Sequence, residues 1–287
     1  MTKAAPVPSE VYTEDYFLSD ACEGYGSFSE GRISAIKHKE LDLLDAKPGQ
    51  RVLDLGCGRG EVLAELAGRG VRVVGIDYAA AAVRLARTRT EGVAGVGGIL
   101  RGDATALPFR PACFDRVLMG DVIEHLPWDM GVGALKEVGR VLAGDGLALV
   151  HTSPNRWFSM GLMPMARVVL RLAGKKALAD RIGDYQSRRG EMHPNELSPI
   201  GLRRLIRQAG LSGSVWVDPD VLRSGASDWT EDLTSSSVAR LAGRVGGVRP
   251  LRYLIGNDLY ARLESAPGRH ASHLGIDPTS RARVGPH

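Results

Sequence analysis

RVLDLGCGRG, residues 51–60, is the stretch on which the fold turns. A short apolar run interrupted by Asp54 passes directly into glycines at alternate positions, Gly56, Gly58 and Gly60. Such a run reads as a buried strand feeding a tight turn into a helix. Outward from it the same alternation continues. GEVLAELAGRG (60–70) reads as a helix, VRVVGID (71–77) as a strand and AAAAVRLARTR (79–89) as a helix. GGILRGD (97–103) and FDRVLMGD (114–121) read as strands, MGVGALKEVGRVLA (130–143) as a helix and GLALVHTS (146–153) as a strand. Apolar runs bounded by turns and alternating with helices predict parallel βαβ units and a doubly wound α/β sheet.

After Pro154 the alternation stops. Residues 155–195 form a long excursion, followed by a helix at 198–209, a strand at SVWVDP (214–219) and a further strand in RYLIGNDLYARLES (252–265). The chain divides into an N-terminal aromatic and helical cap (1–45), a main domain (46–265) with an insertion at 155–195, and a tail (266–287) that lacks periodicity and is expected to be disordered. A composition of 44% hydrophobic and 24% charged residues is that of a soluble globular protein. No apolar run is long enough to span a membrane, no apolar secretory segment opens the chain, and three cysteines lack metal-ligand spacing, so a cytoplasmic protein is expected. Net charge is +4, too small to argue for nucleic acid, yet residues 156–189 hold eight Lys or Arg against Asp180 and Asp184. That segment could rest on an anionic membrane surface.

The glycine loop is not a dinucleotide fingerprint. Glu61 stands where a third glycine belongs, and a carboxylate there would repel a pyrophosphate; no Gly-Lys-Ser/Thr follows for a P-loop. A ligand with a ribose, a carboxylate and a cationic centre fits better. Asp77 ends the second strand, where a carboxylate can accept both ribose hydroxyls, and the helix from Gly60 offers free N–H groups.

VLDLGCGRG, GID, GDATALPF and FDRVLMGDVIEHL, in that order over roughly residues 46–155, together resemble the class I S-adenosylmethionine-dependent methyltransferases. The likeness is greatest to the small-molecule branch that includes ubiquinone-biosynthesis and sugar O-methyltransferases. It implies a mostly parallel, seven-stranded Rossmann-like sheet with a helical lid. It also implies that the Gly56–Gly60 loop, Cys57 included through its backbone, and Asp54 face the methionine part of the cofactor. Asp77 would take the ribose, Tyr78 would lie along the adenine, Asp103 and Ala104 would bond the adenine, and Asp121 would sit near the ammonium. Asp54 as a buried polar residue and Asp103 as a turn former are the plainer alternatives.

Transfer to a hydroxyl needs a base. His125 in GDVIEHLP and, second, His151 in LVHTSPN lie at the strand edge where such sheets bind ligands. His193 in EMHPNELSP is expected on the lid, with Trp157 and Asn155 on the substrate side. Asp121, Glu124 and His125 are the ligand types for a divalent metal, as in some ubiquinone-type relatives, although Asp stands where that pattern commonly carries Glu. The expected reaction is methyl transfer to a hydroxyl of a small molecule, a saccharide or glycosylated natural product. N- or C-methylation and a lipid-linked acceptor are the alternatives. A nucleic-acid enzyme is disfavoured because no Asp/Asn-Pro-Pro-Tyr/Phe motif follows the fourth strand.

Overall fold

The computed structural model describes residues 6–218 and 252–264. The tail expected at 266–287 lies outside them. Among the described residues, seven strands form one sheet in the order β3-β2-β1-β4-β5-β7-β6. They are β1 (Arg51–Leu55), β2 (Arg72–Asp77), β3 (Val96–Arg101), β4 (Phe114–Gly120), β5 (Leu142–Thr152), β6 (Ser212–Asp218) and β7 (Asp258–Glu264). The first five run parallel, and β7 is antiparallel to both β5 and β6. The expected α/β architecture holds.

The N-terminal cap carries α1 (Glu14–Phe17), α2 (Tyr25–Ser29) and α3 (Ala35–Leu44); α4 (Glu61–Gly68), α5 (Ala80–Arg89) and α6 (Trp128–Val141) connect the parallel strands. The insertion is helical: a π-turn at Phe158–Leu162 runs into α7 (Met163–Leu172), which pairs with α8 (Lys176–Met192). Then come α9 (Pro199–Gln208) and the single turn α10 (Arg252–Ile255).

Two boundaries differ from expectation. β5 starts at Leu142 rather than 146 because Leu142 pairs with Phe114 ahead of a register irregularity. RYLIGNDLYARLES is not one strand: Arg252–Ile255 is a helical turn and only Asp258–Glu264 is extended. β7 is flanked on both sides, which is why Asp258, Leu259, Tyr260 and Ala261 are all enclosed, against the half-buried alternation of an edge strand.

The sheet is covered on both faces. Leu53, Val117, Leu135 and Leu205 belong to one core with α6 and α9, and Val52, Leu63, Val73 and Leu118 to another with α3, α4 and α5. The carboxyl ends of β1, β2 and β4 therefore open together beneath the N-terminal cap.

Candidate active site

At those strand ends lies a cavity of about 1030 Å³. This is at the top of the ~300–1,000 Å³ range of small-molecule sites, room for a cofactor and an acceptor side by side.

The glycine loop forms its floor. Gly56 has φ +86°, and a Cβ there would stand 2.2 Å from Val122 Cγ2. A Cβ on Gly60 (φ +82°) would lie 2.8 Å from Ala86 Cα of α5. The clearance these two glycines supply is thus for the protein's own packing, and Gly60 is not among the residues lining the cavity. Gly58 is different: its N–H donates to Asp77 Oδ2 at 2.9 Å, and Ala79 N–H donates to Asp77 Oδ1 at 2.8 Å. Two backbone donors occupy half of the carboxylate's acceptor capacity and leave the rest for hydroxyls.

Asp54, Cys57, Tyr78, Asp103, Ala104 and Asp121 also line the cavity. Asp54 Oδ2 is enclosed without a hydrogen-bond partner, and burial, reinforced by Glu40, pushes its carboxyl up to about 8. Asp103 serves as a turn former as well, since its Oδ1 accepts from both the N–H and the hydroxyl of Thr105. Burial pushes the Cys57 thiol well up, away from nucleophilic chemistry.

Glu61 corrects the electrostatic part of the sequence argument. Its carboxylate accepts from Arg59 Nε and Nη2, both at 2.9 Å, and from Lys37 Nζ at 2.7 Å. Two cations answer one anion, so Glu61 presents no bare charge to the loop. Burial opposes ionisation, yet Lys37 and Arg59 outweigh it and hold the carboxyl below its usual range. Arg59, itself fully enclosed, also donates to the carbonyls of Phe17 (2.9 Å) and Glu23 (2.6 Å), tying the cap to the loop. Nothing in the spacing of the sequence pointed to this bond set.

The histidines separate. His125 lines the cavity in the short helical turn after β4. Its Nδ1 lies 2.9 Å from the carbonyl oxygen of Met192 and 2.9 Å from the Tyr12 hydroxyl. A carbonyl can only accept, so Nδ1 carries a proton there. His193 packs edge-on against it, ring centroids 4.7 Å apart.

His151 is fully buried behind the wall and does not line the cavity, which removes it from reach of an acceptor. Its Nδ1 lies 2.8 Å from Glu40 Oε1 and 3.4 Å from Asp121 Oδ1, its Nε2 lies 3.2 Å from Asp258 Oδ1, and its ring stacks on Tyr260. Burial opposes a charge on this ring, but Asp121, Tyr260, Asp258 and Glu40 prevail and raise its pKa well above the usual value. The ring sits among acidic groups of three separate elements.

The substrate-side expectations divide likewise. His193 lines the cavity; Asn155 and Trp157 do not. The enclosed Asn155 amide donates to the carbonyls of Tyr253 and Gly256, and its Oδ1 accepts from Trp157 N–H, a joint between the insertion and the approach to β7. Phe158, Leu178, Ile182 and Met192 of the insertion line the cavity instead, facing Tyr12 and Tyr16 of the cap.

The metal expectation is rearranged too. Potential ligand atoms of Glu124, His125 and His193 lie within 4.8 Å of one another, whereas Asp121 falls in a second group with Glu40 and His151. Asp121, at φ +51°, is turned toward His151. Glu124 Oε2 accepts from the Thr152 hydroxyl at 2.8 Å, and burial beside Asp121 pushes its carboxyl up to about 8.

In doubly wound sheets, ligands bind outside the carboxyl ends of the strands, where this cavity lies. Residues 53–150 match the methyltransferase domain family. Over 117 residues the chain is 37% identical to 2-phytyl-1,4-naphtoquinone methyltransferase of Thermosynechococcus vestitus, covering 40% of this chain and 51% of that one. Over 118 residues it is 38% identical to demethylmenaquinone methyltransferase of Beutenbergia cavernae, covering 41% and 47%. The chain thus spans about half the length of these curated relatives. The putative methyltransferase solved with the Trm112 activator of Haloferax volcanii has the same fold, at a TM-score of 0.56 and 17% identity over 88% of this chain and 96% of that one. Residues 53–150 thus resemble a methyltransferase domain, set within a fold shared with a solved methyltransferase.

Proposed function

We propose that this chain transfers a methyl group from S-adenosylmethionine to a hydroxyl of a largely apolar or lipid-linked small molecule, with His125 as general base. The carrying observation is the placement of His125. Its side chain lines the cavity just past the end of β4, with Nδ1 held between the Met192 carbonyl and the Tyr12 hydroxyl.

The residues present fit the cofactor. Asp54, enclosed and unpaired at Oδ2, suits an ammonium; Asp77 keeps acceptor capacity for a ribose; Tyr78, 46% exposed beside the cavity, offers a face to a purine. Asp103 Oδ2 and the Ala104 backbone are the candidates for the base edge, and Asp121 for the ammonium side. S-adenosylmethionine would supply a methyl group on a sulfonium, activated for in-line displacement. The chain's own residues then bind, orient and exclude water, and His125 Nε2 accepts the acceptor's proton as the new bond forms. Tyr12 and Met192 hold the ring in register. A base so placed contributes about 10²–10⁴-fold.

The apolar side chains Phe158, Leu178, Ile182 and Met192 in the cavity wall support the lipid-linked or lipophilic alternative over the saccharide or glycosylated natural product expected from the sequence. The quinone names of the curated relatives favour the same chemistry, and with it a second reading, transfer to a carbon of such a ring. His125 Nε2 would serve that proton equally.

The donor is tested by thermal shift with S-adenosylmethionine and, in parallel, nicotinamide cofactors: a binder raises the melting temperature by mass action. A shift with a nicotinamide cofactor only would refute the donor. The acceptor is tested by a radiolabelled-methyl screen over quinols, prenyl-linked sugars, free sugars and RNA, with the labelled atom mapped in the product. His125→Ala should lose about 10²–10⁴-fold in kcat while cofactor affinity stays; full turnover would remove His125 as base. EDTA should leave the rate unchanged, and a rate restored only by added divalent ion would favour the Glu124, His125 and His193 group as ligands instead.

A further inference from the structure

The insertion has a second face. α7 turns Met163, Arg167 and Leu170 inward, with Met163 packed among Phe158 and Ile182 and the Arg167 guanidinium lying over Gly183 of α8. On the opposite side stand Met165, Val168, Val169 and Leu172, at the i, i+3, i+4, i+7 spacing of a single helical stripe. These four are 66%, 58%, 59% and 85% exposed, and Met160 one turn earlier is 62% exposed. Among the described residues nothing covers the outer stripe of this helix, and an exposed apolar patch of this kind marks an interaction surface.

The charge around the stripe selects the partner. Arg156 Nε lies 3.2 Å from Met160 Sδ at one end. At the other, Arg171, Lys175 and Lys176 are all exposed, where the hairpin turns through Gly174. Among the described acidic groups of the hairpin, Asp180 pairs with Arg171 at 2.7 Å, and Asp184 lines the cavity on the other side. An apolar ridge ~10 Å long from Met165 to Leu172, bounded by cations at both ends, matches a bilayer interface: acyl chains take the ridge and anionic headgroups take the ends.

We infer that the outer face of α7, with Arg156, Arg171, Lys175 and Lys176, docks the protein on an anionic lipid surface. The inner face of the same hairpin lines the cavity, so docking would set the cavity mouth beside the membrane. The binding itself does not depend on methyl transfer and can be read without it.

The test is flotation of the full chain with phosphatidylcholine vesicles, with and without phosphatidylglycerol. The chain should float with the anionic vesicles and be released by high salt. Lys175→Gln combined with Lys176→Gln should weaken anionic binding roughly thirtyfold, and Leu172→Asp on the order of tenfold or more. Both variants change exposed side chains, and an unchanged melting temperature verifies their folding. No flotation of the wild-type chain, or equal flotation of all variants, would overturn the proposal. So would a self-associated species that Leu172→Asp dissociates, because the ridge would then be covered by a second copy of the chain.

Discussion

Replacing Arg59 by Met should loosen the N-terminal cap and cost the protein heavily. The guanidinium is completely enclosed and makes four hydrogen bonds, two to Glu61 and one each to the Phe17 and Glu23 carbonyls. Met fills similar space but leaves two carbonyls unpaired and reduces Glu61 to its bond with Lys37. Breaking a buried charged pair on one side costs about 3–5 kcal/mol. For a domain of this size that lowers the melting temperature by roughly 10 °C. Arg59→Lys, which keeps a charge near Glu61 but cannot serve all four partners, should fall between. The pH dependence has a definite sign. In the wild type Glu61 is held below its ordinary carboxylate value, so its contribution is present above the unfolded pKa and lost as pH falls through the lower folded one. In Arg59→Met the folded pKa rises, and acid destabilisation should begin at higher pH. The assay is thermal melting from neutral to acid pH, with limited proteolysis reporting on residues 17–31. If Arg59→Met melts within about 2 °C of wild type, a loss under 1 kcal/mol, and its cap is no easier to cleave, the assignment of Arg59 as the tie between cap and loop fails.

Asp77→Asn should weaken S-adenosylmethionine binding by tenfold or more, the worth of one charge-assisted hydrogen bond, and abolish the thermal shift at moderate ligand; undiminished affinity would contradict the ribose assignment. Asp54 carries a folded pKa of about 8, above its unfolded value, so the stability it confers on the free protein is complete below the unfolded pKa and lost as pH rises through about 8. Cofactor binding that needs the ionised carboxylate should therefore tighten about tenfold from pH 7 to 9, measured by titration calorimetry. A flat profile, or the same slope in Asp54→Asn, would count against it. His151→Leu should cost about 3–5 kcal/mol by leaving buried carboxylates unanswered, while any residual activity keeps the acidic limb of its pH–rate profile; loss of that limb here, and not in His125→Ala, would reverse the roles of the two histidines.

The fold was legible because parallel strands covered on both faces must be short continuous apolar runs, and RVLDLG, VRVVGID and FDRVLMGD are such runs. What was misread depended on partners distant in the chain. Glu61 looked like an exposed anion because Lys37 lies 24 residues away and Arg59 needed a rotamer that spacing does not specify. Asn155 looked like a substrate ligand because the carbonyls that claim it come from residues 253 and 256. RYLIGNDLYARLES reads as one strand until Asn257 O accepts from Asn155 N–H at its middle and marks where the chain turns into the sheet.

His125 and His151 show the same effect at the level of chemistry. Each follows or ends a central strand at the carboxyl edge of the sheet, so their sequence contexts are equivalent. β7 breaks the equivalence: running antiparallel beside β5, it pairs Tyr260 with His151 and brings Asp258 onto its Nε2, which encloses the ring beside a buried carboxylate. His125 instead meets Tyr12 of the cap, the Met192 carbonyl at the end of the insertion and the ring of His193, and it lines the cavity. None of these partners lies within residues 53–150, the span matched by the methyltransferase family. The family likeness therefore covers only the part of the cavity built on strand ends. The rest of the cavity wall comes from the cap and the hairpin 158–192, so under the proposed function acceptor selectivity would fall to this chain's own Tyr12, Phe158, Ile182 and His193.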